Sequence, residues 1–207
     1  MDLRAAVADE RRHVAGLVAS LRPDQLDTPS LCGDWTVKQV AGHLLAAGDG
    51  SLPSLGMVVR NGFRLHKVNA ALAVHKAERP ADELAQALRA TADTVSPAPL
   101  IGYPGQLTDL QVHGQDMRRP LGLPHELRPE LLRVSLDFVT GGKAYGFTPR
   151  RRPAGLRFEA SDLTWSSGVG ALVTGPAEAL LLALCGRSVV LEELDGPGVR
   201  VLRDRLR

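Results

Sequence analysis

Apolar residues recur at helical spacing over residues 2–21, where Leu3, Val7, Val14, Leu17, Val18 and Leu21 share one stripe. Pro23 is expected to stop that helix, and a loop follows through Pro29, Cys32 and Gly33. Thr36-Val37-Lys38-Gln39 reads as a capping box: Thr36 caps a second helix and Gln39 reaches back. Val37, Val40, Ala41 and Leu44 make its apolar stripe, with His43 at the edge, about 60° from Val40. Gly48, Gly50 and Pro53 are expected to close it. Residues 54–77 read as a helix with a soft start, given Gly56 and Gly62. Pro80 opens a helix over 81–95, and Ser96-Pro97-Ala98-Pro99 is a loop. Further helices are expected over 104–118, ended by Arg118, Arg119 and Pro120, and over 128–141. Long helices with short connections predict an antiparallel bundle.

The pattern changes after Gly141-Gly142, and 149–153 reads as a linker. Leu156-Arg157-Phe158-Glu159-Ala160 alternates as a strand does, and 162–166 and 171–174 read as short strands. A helix over 177–184 ends at Gly186, and 191–194 and 199–206 read as short helical segments. The predicted fold class is therefore mainly α: a helical bundle in residues 1–146, then a small α/β (α+β) module in 153–207.

Aromatic residues make up only 4% of the 207, so Ala, Leu and Val must fill most of the core. A net charge of +2 argues against a nucleic-acid partner. The run Arg150-Arg151-Arg152 reads as a solvated linker in preference to a specific anion site. Two distant cysteines, Cys32 and Cys185, show no metal-ligand spacing and suit a reducing compartment. The start of the chain lacks a signal-peptide pattern, and the longest apolar run, around 177–185, is too short to span a bilayer. A cytoplasmic protein without membrane contact, monomeric or homodimeric, is expected.

Chemistry concentrates in Asp109 and His113, four residues apart on a predicted helix and so on one face. With His43 from another helix they would offer a divalent metal three N/O ligands and leave a position open, as catalytic zinc sites do. A plain Asp–His hydrogen bond accounts for the spacing equally well. Gly42 beside His43 and Gly114 beside His113 allow close approach of a neighbouring helix or ligand. His13, His66, His75 and His125 sit in charged or loop settings and are read as ordinary polar residues.

The segments Leu31-Cys32-Gly33-Asp34-Trp35-Thr36-Val37-Lys38-Gln39-Val40-Ala41-Gly42-His43-Leu44 and Val112-His113-Gly114-Gln115-Asp116-Met117-Arg118-Arg119-Pro120 carry a resemblance. So do Asp162-Leu163-Thr164-Trp165-Ser166 and Gly175-Pro176-Ala177-Glu178-Ala179-Leu180. In this order they resemble the DinB-like, mycothiol-dependent maleylpyruvate isomerase family of actinobacteria. That resemblance implies an antiparallel four-helix bundle holding a divalent metal, usually zinc with nickel or iron as alternatives, on His43, Asp109 and His113. It also implies a low-molecular-weight thiol cofactor, mycothiol or a relative. The activity implied is isomerisation or S-transfer on a small electrophilic substrate, with a non-catalytic metal- or small-molecule-binding protein as the alternative. The isomerase has Glu where this chain has Asp109, so Asp109 either ligates directly or orients a ligand. The C-terminal module also reads as shorter than the isomerase's. In this reading Asp116, one turn beyond His113, is the candidate catalytic group, placed to orient a ligand or bind substrate. Gln115 and Arg118 are candidate substrate contacts, and Trp35 is a packing residue at the start of its helix.

Overall fold

The computed structural model describes residues 1–47, 55–60, 65–94, 96, 100–124, 127–144 and 146–207, with the backbone alone at Leu55, Val59, Arg60, Leu65 and His66. The expected helix stop at Gly48, Gly50 and Pro53, the loop at 97–99 and His125 lie outside them. The described chain is mainly helical with one small sheet, as expected. It divides into two compact units, Met1–Ser96 with Asp109–His125, and Pro97–Thr108 with Glu126–Arg207. No described helix is long and apolar enough to cross a membrane.

In the first unit, α1 (Leu3–Ser20) starts where the Asp2 carboxylate accepts from the Arg4 and Ala5 amides. Its predicted stripe is buried at Val7, Val14, Leu17 and Val18. Pro23 does more than stop the chain: it opens a short α2 (Pro23–Leu26), because a missing N–H is harmless at the first helical position. The capping box at Thr36 forms as predicted. Thr36 Oγ1 accepts from the Gln39 amide at 3.3 Å and Gln39 Oε1 from the Thr36 amide at 3.0 Å, starting α3 (Val37–Ala46).

Where one helix is expected over 54–77, two are described, α4 (Leu55–Arg60) and α5 (Leu65–Ala77). Helix α6 (Ala81–Ala90) ends before the expected 95. Thr91 Oγ1 bonds back to the carbonyls of Ala87 and Leu88, and Asp93 turns to Arg12 at 2.6 Å. The Asp93–Arg12 pair ties the residues just past the helix to α1. The residues of α7 (Gly102–Arg118) from Asp109 onward complete this unit.

Helix α1 packs on α6, and α3 packs on α5. The second contact depends on Gly42. A Cβ there would collide with the Ala73 carbonyl oxygen and come within 2.9 Å of the Ala77 amide nitrogen. Two backbones this close tolerate no side chain between them. Gly114 differs: among the described residues a Cβ there would meet only Arg118 Nη1, at 3.5 Å.

The second unit is built on α8 (Pro129–Thr140), α9 (Ala177–Leu184), α10 (Gly198–Arg205) and a sheet of order β2-β1-β3. Strand β1 (Leu156–Ala160) pairs antiparallel with β2 (Ser166–Gly168) and parallel with β3 (Ala171–Gly175). The alternation read at 156–160 holds, with Leu156 and Phe158 buried and Arg157 exposed. The second strand is displaced from the expected 162–166. Asp162 Oδ1 instead accepts from the Ala177 amide at 2.8 Å, and Trp165 Nε1 donates to Asp137 at 2.7 Å. These side chains anchor a turn, so pairing begins only at Ser166. Helix α9 is buried almost throughout and forms the centre of the unit. The short helical segments expected at 191–194 and 199–206 form as a 3-10 helix (Ser188–Glu193), which starts three residues earlier, and as α10.

The two glycines beside histidines should respond oppositely to alanine. Gly42→Ala should lose about 1–3 kcal/mol of unfolding free energy through overpacking, outweighing the better helix propensity. Gly114→Ala should gain up to about 1 kcal/mol. Urea denaturation of both variants beside the parent measures the two shifts.

Candidate metal centre

Helix α3 carries His43 on the rim of its apolar stripe, and α7 carries Asp109 and His113 one turn apart. The fold brings the three together. His43 Nε2 lies 3.5 Å from Asp109 Oδ2, and His113 Nε2 lies 3.4 Å from Asp109 Oδ1. One donor atom from each falls within 4.8 Å of the others. The imidazoles meet edge to face with centroids 4.8 Å apart, and Trp35 lies against His43 at 5.3 Å. The side chains of His43 and Asp109 keep 22% and 20% exposure, so the group is partly exposed.

His113 is held from behind. Its Nδ1 lies 2.8 Å from Asp116 Oδ2, and the Asp116 side chain is fully buried. A carboxylate offers only acceptors, so Nδ1 carries the proton and donates it. Nε2, the other ring nitrogen, is turned toward Asp109. The Asp116 main chain is tied as well, its carbonyl accepting from the Leu31 amide at 3.1 Å.

The donor set suits a divalent ion. Ligand bonds of about 2.1 Å in tetrahedral array separate neighbouring donors by about 3.4 Å. The two Asp109–imidazole distances, 3.4 and 3.5 Å, are of that order, each to a different oxygen of the carboxylate. Both exceed a normal N–H···O bond.

The other predicted residues are placed differently. Asp116 shares the face of His113 but is enclosed. Gln115 and Arg118 stand about 200° and 140° around the helix from His113 at 100° per residue. Both are buried, and helix geometry points neither of them at the group of three. Burial lowers the Arg118 guanidinium's pKa, and the nearby Glu10 carboxylate partly opposes this. His13 lies 3.8 Å from Glu10 and His75 lies 3.1 Å from Glu78, both largely exposed. The His66 side chain and His125 lie outside the described residues.

Cys32 is a residue that spacing along the chain missed. Its sulfur joins His113 and Asp116 in a second group of possible ligand atoms within 4.8 Å. The Leu31–Asp116 main-chain bond brings it there from a loop eighty-odd residues upstream, which no local pattern signals. Trp35, read as packing at the helix start, packs specifically on the His43 ring. Neither cysteine forms a disulfide.

Residues 7–100 match the family described as the mycothiol maleylpyruvate isomerase N-terminal domain, and the resemblance carried by the sequence motifs is borne out there. No curated protein matches the chain. Among solved structures, the mycothiol-dependent maleylpyruvate isomerase is similar with a TM-score of 0.63 at 13% identity, covering 95% of this chain and 93% of that one. The fold is therefore that of the isomerase, a DinB-like bundle with a small α/β module. A mutant of that enzyme also matches, with a TM-score of 0.46 at 15% identity and the same coverage.

Zinc titration of the purified chain, followed by calorimetry and elemental analysis, checks the ligand set. His43→Ala should abolish tight uptake. Asp116→Asn should keep the stoichiometry but weaken affinity about 10–100-fold, as loss of a carboxylate behind a ligating imidazole does.

Proposed function

We propose that this protein is a divalent-metal-dependent enzyme that uses a small thiol cofactor, mycothiol or a close relative. It isomerises, or transfers the thiol to, a small electrophilic substrate. The single observation that carries this reading is the orientation of His113. Its Nδ1 is committed to buried Asp116, while its Nε2 joins Asp109 and His43 in a partly exposed three-donor set. Such a set suits a catalytic site better than a closed structural one, because three protein ligands leave room for another molecule. The similar solved structure is that of a mycothiol-dependent maleylpyruvate isomerase, which supports a thiol cofactor here.

His43, Asp109 and His113 would hold the ion, zinc first and nickel or iron as alternatives. A bound divalent ion supplies Lewis acidity, which lowers a thiol's pKa so that thiolate is present near neutral pH. The chain's own residues do the rest. Asp116 fixes the tautomer and rotation of His113, which makes it a positioning residue in this proposal. Trp35 packs against the His43 ring and restrains it.

Asp109 is best read as a direct ligand. An orienting carboxylate engages one imidazole at hydrogen-bond distance, as Asp116 does at 2.8 Å. Asp109 instead stands at nearly equal, longer distances from two. Its two carboxylate oxygens face the two histidines, one each. In this reading residues 1–146 carry the metal chemistry and 153–207 form an accessory module, in a cytoplasmic protein.

Turnover is tested by incubating the chain with mycothiol and maleylpyruvate, and with other small electrophiles, while following substrate isomerisation and free thiol. Isomerisation with thiol conserved marks an isomerase, and net thiol loss marks a transferase. Both should vanish on chelation and in Asp109→Ala, and return on adding zinc to the chelated parent. Metal uptake without any turnover would instead make this a binding protein, the alternative reading.

A further inference from the structure

We propose that the second unit contains a separate binding site for a small monocarboxylate with an apolar body, with Arg150 as its anion-binding residue. The sequence favours a solvated linker for the run Arg150–Arg152, and the fold gives Arg150 a more specific setting. A cavity of about 300 Å³ opens between α8, the 148–155 segment and the sheet. Its inner lining includes Val139, Leu156 and Phe158, each at most 2% exposed. Arg150 is exposed and lines both this cavity and an adjoining hollow. Among the described residues, none that lines either space is acidic.

The neighbouring polar groups narrow what Arg150 would meet. Thr140 Oγ1 donates to the Leu136 carbonyl at 2.7 Å, and Thr148 Oγ1 donates to the Leu184 carbonyl at 2.9 Å. Both hydroxyl protons are thus committed within the protein. Arg152 is turned to the Leu184 carbonyl at 2.7 Å. Arg150 makes no hydrogen bond or ion pair with a described residue. One cation beside an apolar recess matches one negative charge on an apolar body. The planar guanidinium fits a carboxylate in particular. The cavity's size lies at the lower end of small-ligand sites, which sets the ligand's scale.

Calorimetric titration of the full chain with hexanoate tests the site, with hexanamide as the neutral probe and His43→Ala as a control for anion binding at the metal centre. Hexanoate should saturate at one site per chain. Hexanamide, and hexanoate on Arg150→Ala, should each bind at least about tenfold more weakly, the scale of losing one charge-assisted hydrogen bond. His43→Ala should bind hexanoate unchanged. The proposal is overturned if hexanoate shows no binding at millimolar concentration, or if Arg150→Ala retains full affinity. Equal binding of the amide, or loss of binding in His43→Ala, would overturn it as well.

Discussion

The hydrogen bond from His113 Nδ1 to the enclosed carboxylate of Asp116 governs the metal centre. A carboxylate with a fully buried side chain is costly unless its acceptors are used, and loss of a partner typically costs several kcal/mol. Here the imidazole donates to it, and the Leu31 amide holds its main chain. Once Nδ1 is committed, His113 can neither flip nor change tautomer without abandoning a buried charge. Nε2 then has one direction to face. Asp109, one turn earlier on the same helix, is in that direction by helical geometry alone.

The third ligand is set by a packing constraint on another helix. Gly42 lets α3 press against α5 until backbone meets backbone, and this fixes the rotation of α3. His43 follows directly in the chain, so its direction follows from that contact. The loop before α3 adds a second restraint. It is pinned by the Thr36 cap at one end and by the Leu31–Asp116 bond near the other. Between those points it lays Trp35 on His43 and brings Cys32 beside His113. One short loop thus reaches both histidines.

Much of this was legible along the chain because it rests on local rules. The Thr36 capping box, the stripe of α1, the alternation of β1 and the run of α9 all formed as read. The local misreadings share a cause. Asp93, Asp162 and Trp165 each bond to groups far along the chain, which become available only in the fold. A proline that ends one helix opened another. An aspartate just past α6 turned to α1 where a further helical turn was expected, and an aspartate and a tryptophan held a turn where a strand was expected.

The candidate site divides along the same line. Spacing alone selected Asp109 and His113, since residues four apart on a helix share a face whatever else the chain does. It singled out His43 by its place at the edge of an apolar stripe. Spacing could not say that His43 would arrive within 3.5 Å of Asp109, that Asp116 would be sealed behind His113, or that Gln115 and Arg118 would be buried around the helix. Those outcomes depend on how helices rotate and close on one another, which is decided by contacts between residues far apart in sequence. The sequence by itself determined which helices form and which faces carry nitrogen and oxygen donors. Tertiary packing decided which donors meet, because only a helix pressed against its neighbour has a defined rotation.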